Sequence, residues 1–266
     1  MLTQEEITQA ATDLDTAERT RQQIGLLSLR HPAMTMEDAY AVQKAWVTRK
    51  LGAGRRIIGW KIGLTSKAMQ SALNIDIPDS GVLFDDMLFH DGATVPKGRF
   101  IQPRIEAEIA FVMKGSLQGK VGIEDVLAAT DHVVPALEIL DTRVLRADPQ
   151  TKKARTIVDT IADNAANAGI VLGRQKFDPQ AADLRWMGAI VARNGEVEET
   201  GLGAGVLDHP ARGIVWLAER LAQYGDALKP GEIVLSGSFI RPIEARPGDT
   251  IAADFGSHGT VGCSFA

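Results

Sequence analysis

Apolar positions along the chain change their spacing near residue 55. Before that point they recur at helical intervals: Ile7, Ala11 and Leu14 share one face, and Ala39, Val42 and Trp46 share another. A capping-box pair precedes each run, Thr3 with Glu6 and Thr35 with Asp38. Two amphipathic helices are therefore predicted, the second stopped by Gly52 and Gly54. From Arg56 the period becomes two. Ile58, Trp60 and Ile62 alternate with Gly59, Lys61 and Gly63, and further strand-like runs cover residues 81–84 and 104–112. Asn194-Gly195, between Ile190-Val191-Ala192 and Glu196-Val197, predicts a tight hairpin. A helix is predicted from near Pro210 to Gly225 with Ile214, Leu217 and Leu221 inward. Pro230-Gly231-Glu232 and Pro247-Gly248-Asp249 each open a short strand. The pattern predicts an α+β fold, with an N-terminal helical segment over residues 1–55 packed on a strand-rich domain over 56–266.

Composition narrows the class. The 266 residues are 45% hydrophobic, enough for a substantial core, yet no run approaches the ~20 apolar residues of a membrane span. A formal charge of −5 argues against nucleic acid or an anionic membrane as partner. The polar, acidic start is unlike a signal peptide, and the single cysteine, Cys263, excludes an internal disulfide. A cytoplasmic protein is expected.

The chemistry concentrates in residues 104–112. Side chains on a strand alternate, so Glu106 and Glu108 face one way while Ile105, Ala107, Ile109 and Phe111 face the other. Ala110 and Val112 continue the glutamate face, which suggests that it too is covered. Glu138 lies in a second apolar run, residues 132–140. Three carboxylates without Cys or His form an all-oxygen set suited to a hard divalent ion such as Mg²⁺ or Mn²⁺. The competing reading is a wet strand face salt-bridged to lysines. Lys61, flanked by Gly59 and Gly63, either reaches over a pocket that the glycines leave open or is a surface lysine on an exposed strand. Residues 163–169 are turn-prone and lead into Ile170-Val171-Leu172. The glycines of residues 201–205 lack the spacing of a dinucleotide loop. The five histidines never fall at metal-ligand spacing, and Cys263 reads as core. Lys152-Lys153-Ala154-Arg155 reads as a solvated loop, with anion binding as the minority alternative.

These motifs together resemble the hydratase and decarboxylase branch of the fumarylacetoacetate hydrolase superfamily. The resemblance runs through Gly59-Trp60-Lys61-Ile62-Gly63-Leu64-Thr65-Ser66 and on to Gln70, Pro78-Asp79-Ser80-Gly81, Pro103-Arg104-Ile105-Glu106-Ala107-Glu108, Pro135-Ala136-Leu137-Glu138, Asp163-Asn164-Ala165 and residues 231–237. It implies a mixed β-roll or barrel core of that superfamily and a homo-oligomer, pentamer or decamer. It implies that Glu106, Glu108 and Glu138 ligate Mg²⁺ (or Mn²⁺), with Lys61 and Asp79 as the catalytic pair beside the substrate. Arg104 is more like the hydratases, whose decarboxylase relatives tend to carry lysine there. Trp60 stands where variation is expected and bears only on pocket shape. The implied reaction is addition of water to a 2-oxo-alkenoate, a small-molecule substrate from aromatic meta-cleavage catabolism. Decarboxylation of a vinylogous 2-oxo diacid is the alternative, and a non-catalytic oligomer partner a remote one. Substrate contacts are expected from Arg104, Arg155 and Ser238. Of the basic residues in the 141–160 connection (Arg143, Arg146, Lys152, Lys153, Arg155), an arginine suits a carboxylate best, and Arg155 is nearest the following motif.

Overall fold

The computed structural model describes residues 1–67, 70–71, 75 and 77–266. Ala68 and Met69 of the 64–70 motif lie outside the described residues. Helix α1 (Gln4–Thr20) and helix α3 (Met36–Gly52) flank a short helix α2 (Leu27–Arg30). Both capping boxes form, with Thr3 accepting from the Glu6 amide and Thr35 from the Asp38 amide. Asp38 goes further and accepts from the amides of Leu2 (2.8 Å) and Thr35 (3.0 Å), tying the chain start to α3. Ala11, Leu14, Ala39, Val42 and Trp46 are buried together, as their spacing predicted, against Val82, Phe84 and Ile161.

The strands form two sheets. The larger follows the order β2 (Asp79–Phe84), β1 (Ile57–Gly63), β10 (Ile233–Leu235), β5 (Arg104–Met113), β6 (Thr130–Leu140), β7 (Asn167–Leu172) and β3 (Leu88–His90), with β11 (Ile243–Glu244) also on β5. The smaller runs β4 (Ala93–Val95), β13 (Thr260–Phe265), β12 (Thr250–Asp254), β8 (Gly188–Arg193), β9 (Glu196–Leu202). Both mix parallel and antiparallel pairs; β1 with β10, β3 with β7 and β4 with β13 are parallel. The fold is therefore the expected α+β arrangement of N-terminal helices on mixed sheets. Asn194 and Gly195 have φ of 55° and 85°, the primed turn that matches strand twist in the β8–β9 hairpin. Helices α4 (Ile123–Ala129), α5 (Ile157–Ala162) and α6 (Ala211–Gln223) are inserted among the strands.

The main core forms where Ile105, Ala107, Ile109 and Phe111, on one face of β5, meet Ile251 and Val261 of the smaller sheet and Ile214 and Leu217 of α6. The other face of β5 is also covered: Ala110 packs with Leu83, Val134, Ala136, Ile170 and Leu235. A strand covered on both faces has no wet side on which to leave two glutamates. No helix among the described residues is long and apolar enough to cross a membrane.

Candidate metal centre and active site

Strands β5 and β6 pair antiparallel with Glu106 opposite Glu138 and Glu108 opposite Ala136. This register puts all three glutamates on one face. Their carboxylate oxygens lie within 4.8 Å of one another, with Glu108 and Glu138 wholly buried and Glu106 half-buried. Two contacts hold the cluster in shape. The Gly237 amide donates to Glu108 Oε2 at 2.7 Å, and Asn167 Nδ2 donates to Glu138 Oε1 at 2.7 Å. The remaining oxygens, Glu108 Oε1 and Glu138 Oε2, are buried without a hydrogen-bond partner among the described residues. Buried anions this close are costly unless protons or a cation sit between them. Burial and crowding favour the protonated form of two of them: the Glu106 carboxyl is pushed up to about 8 by burial and then by Glu138, and Glu108 is raised well above the carboxylate range by burial, Glu138 and Glu106. An all-oxygen donor set with inward, unsatisfied lone pairs fits a hard divalent cation, and it provides neither the sulfur nor the imidazole that softer metals favour.

Lys61 is buried, which removes the surface-lysine reading. Its Nζ donates to the Ala165 carbonyl at 3.1 Å and lies 3.4 Å from Glu138 Oε1. Asp79, at the first position of β2, is buried too, with Oδ1 unpartnered among the described residues. A Cβ on Gly63 would fall 2.2 Å from Asp79 Oδ1 and 2.9 Å from Lys61 Nζ, so both side chains converge above that glycine. The flanking glycines thus have reasons other than an open pocket. The space over Gly63 is filled by Lys61 and Asp79, while a Cβ on Gly59 would collide with the Ile233 carbonyl of β10 at 1.8 Å. Gly59 allows a strand to approach, and Gly63 allows two polar side chains to meet.

The ammonium's titration departs from a simple burial argument. Burial alone would lower the Lys61 pKa, as a proton shuttle wants, but Glu138, Asp79, Glu106 and Glu108 outweigh it and hold the group above its ordinary value. Asp79 is raised, chiefly by burial.

Behind these groups lies a left-handed turn. Asn164, Ala165 and Ala166 have φ of 52°, 51° and 60°, a conformation that costs L-residues about 1–2 kcal/mol each. The Asn164 side chain bonds the Val82 amide (2.8 Å) and carbonyl (2.9 Å) of β2, and the turn presents the Ala165 carbonyl to Lys61. The sequence marks residues 163–169, the turn included, as turn-prone. Asn167, the hydrogen-bond partner of Glu138, was missed, although it stands in the turn motif immediately before the predicted apolar strand.

A cavity of about 500 Å³ opens beside this cluster, lined by Lys61, Asp79 and Glu106 and also by Arg104, Arg146 and Arg155. Ser238 lines it as well, with its hydroxyl engaged by the Ile240 carbonyl (2.8 Å) and amide (3.2 Å). Within 152–155, Lys152, Lys153 and Ala154 are exposed, as a solvated loop should be, but Arg155 turns inward. Arg143 is withdrawn from any ligand: it is buried and paired with Asp163.

No protein-family model matches the chain. It is 53% identical over 256 residues to 2-oxo-hept-4-ene-1,7-dioate hydratase of Escherichia coli, covering 96% of each chain. It is 39% identical over 265 residues to 2-keto-4-pentenoate hydratase of Paraburkholderia xenovorans, covering 99% of this chain and 96% of that one. Among solved structures, 4-oxalocrotonate decarboxylase from Pseudomonas putida G7, complexed with magnesium and adipate, superposes with a TM-score of 0.94 at 34% identity, over 100% of this chain and 99% of that one. The chain belongs to the hydratase and decarboxylase branch of the fumarylacetoacetate hydrolase superfamily.

Proposed function

We propose that the chain is a divalent-metal-dependent hydro-lyase that adds water to a 2-oxo-alkenoate, either 2-oxo-hept-4-ene-1,7-dioate or a related 2-hydroxydienoate. The observation that carries this reading is the buried, unsatisfied glutamate cluster beside Lys61 and Asp79, in a chain so similar to named hydratases. Glu106, Glu108 and Glu138 would hold Mg²⁺, or Mn²⁺ in its place. When bound, that ion supplies Lewis-acid stabilisation of the negative charge developing on the 2-oxo oxygen.

The chain's own residues account for the proton traffic. A 4-ene is not conjugated with the 2-oxo group, so a proton must leave C3 and another reach C5 before water can add at C4. The adduct then takes a proton at C3. Lys61, held against the Ala165 carbonyl, is one group able to give or take these protons, and Asp79 is the other. Asp79 also orients the attacking water in this reading, and the two roles are interchangeable. Arg104, Arg155 and Ser238 would hold the substrate. The division into a helical segment 1–55 and a catalytic domain 56–266 belongs to the same proposal, as do a cytoplasmic setting and a homo-oligomer, pentamer or decamer.

The test is to supply 2-oxo-hept-4-ene-1,7-dioate and 2-hydroxypenta-2,4-dienoate with Mg²⁺ and identify the products by mass. Gain of one water is expected. Loss of carbon dioxide, or no conversion of either, overturns the reading.

A further inference from the structure

Positions 104, 106 and 108 share one face of β5, so Arg104 follows the glutamates along the strand, about 6.7 Å from Glu106 in backbone rise. Its neighbour across the pair is Leu140, the last residue of β6. Beyond that end, residues 146 and 155 are brought side by side, the Arg155 amide donating to the Arg146 carbonyl at 2.9 Å. The cavity that begins at Lys61, Asp79 and Glu106 therefore passes Arg104 and continues to Arg146 and Arg155. It is acidic where the glutamates converge and cationic further along.

These three guanidinium groups are poorly neutralised. Arg241, a fourth arginine on the wall, shows the contrast: Glu199 accepts from it at 2.6 and 3.0 Å. Among the described residues, the ion-pair partner of Arg104 is the exposed Glu244, at 3.3 Å. Arg146 donates to a main-chain carbonyl, that of Gln102, at 3.2 Å. Arg155 Nη1 is buried with no hydrogen-bond partner among the described residues. The acids whose charge acts most on Arg155 are Asp163, Asp159 and Asp79, and the first two already accept from other donors. Burial, followed by Arg104 and Arg155, lowers the Arg146 pKa to about 10. Clustered like charges with spare donors in a partly buried wall call for an anion, and a planar carboxylate matches the guanidinium fork.

We propose that Arg104, Arg146 and Arg155 clamp the far carboxylate of a 2-oxo dicarboxylic acid whose near end sits at the three glutamates. The inference rests on the hydratase reading and sharpens it, because it selects the dicarboxylate over the shorter monocarboxylate as the acid this cavity is built for.

The test separates binding from turnover. Mg²⁺-loaded protein is titrated calorimetrically with 2-oxoheptanedioate and with 2-oxoheptanoate, which lack the double bond and cannot be hydrated. The diacid should bind at least about tenfold more tightly, the scale of one charge-assisted contact. Arg155→Gln and Arg146→Gln should each erase most of that preference by weakening the diacid far more than the monoacid, and Arg155→Lys should restore part of it. Thermal denaturation checks each fold, and Arg146→Gln stands alone if the change at 155 does not fold. Equal binding of the two acids by the unaltered protein, or no binding of the diacid, overturns the clamp. So does an equal weakening of both acids in the variants, which would make the arginines supports for Asp79. A protein that prefers the diacid yet hydrates neither alkene leaves the clamp standing and overturns the activity.

Discussion

Two groups of buried acids lie close together in this molecule and differ in how their oxygens are satisfied. Asp141, Asp159 and Asp163 are as deeply buried as Glu108 and Glu138. Asp141 accepts from the amides of Ile101 and Gln102, both at 2.7 Å. Asp159 joins Ser28 and Thr156 through amide and hydroxyl bonds of 2.6–2.9 Å. Asp163 is paired with the Arg143 guanidinium and accepts that residue's amide at 2.8 Å. The glutamates, by contrast, keep oxygens that have no hydrogen-bond partner among the described residues. Burial is therefore common to both groups, and what separates them is the number of unmet lone pairs.

The comparison predicts opposite responses to removing charge. Glu106→Gln should abolish metal-dependent turnover, and it should raise the melting temperature of the metal-free protein by relieving crowding with Glu138 and Glu108. Added Mg²⁺ should raise the melting temperature of the unaltered protein more than that of the variant. Turnover that survives both the substitution and a chelator would sink the metal assignment. Lys61→Met should lower the rate by roughly 10²–10⁴-fold, the usual range for losing an acid–base group, without abolishing Mg²⁺ binding. A lowered melting temperature with unaltered turnover would make Lys61 structural. On the structural side, Asp163→Asn takes away the hydrogen-bonded carboxylate of buried Arg143 and leaves it the more distant Glu18, at 3.8 Å, a loss of about 3–5 kcal/mol. Calorimetry should show a melting temperature lower by roughly 10 °C, and a neutral or positive shift would erase the distinction between the two groups.

The smallest effect concerns Asp38. Burial works against its charged form, but the Thr35 and Leu2 amides outweigh it and hold the carboxyl below its ordinary 3.8. A carboxyl lowered in the folded state stabilises the protein above its unfolded value, and that contribution disappears as pH falls through the folded one. Asp38→Asn should therefore cost about 1 kcal/mol at pH 7 and almost nothing near pH 2. A cost independent of pH would mean that the amide lost geometry rather than charge.

Much of this was legible in the chain because it is local. Capping boxes, the Asn194-Gly195 hairpin and the alternation around Glu106 and Glu108 each depend on residues a few positions apart. What could not be read depends on register between distant strands. Glu138 faces Glu106 only because β5 and β6 pair as they do, and the purpose of Gly59 is set by a carbonyl at Ile233. The three-arginine wall needs residues 146 and 155 to be laid side by side, which periodicity cannot show. The titration of Lys61 is illegible for a related reason: burial is predictable from pattern, but the sum of four neighbouring carboxylates requires coordinates.

The left-handed turn at 164–166 gives the site a shared hinge pin. Asn164 grips β2, the Ala165 carbonyl holds Lys61, and Asn167 steadies Glu138, so four consecutive residues link Lys61, the glutamate cluster and an edge strand. Because the hold on Lys61 comes from the main chain, changing the side chain at 165 does not release it, but relaxing the turn does. Damage there would be collective: unwinding the turn would release Lys61, Glu138 and β2 together.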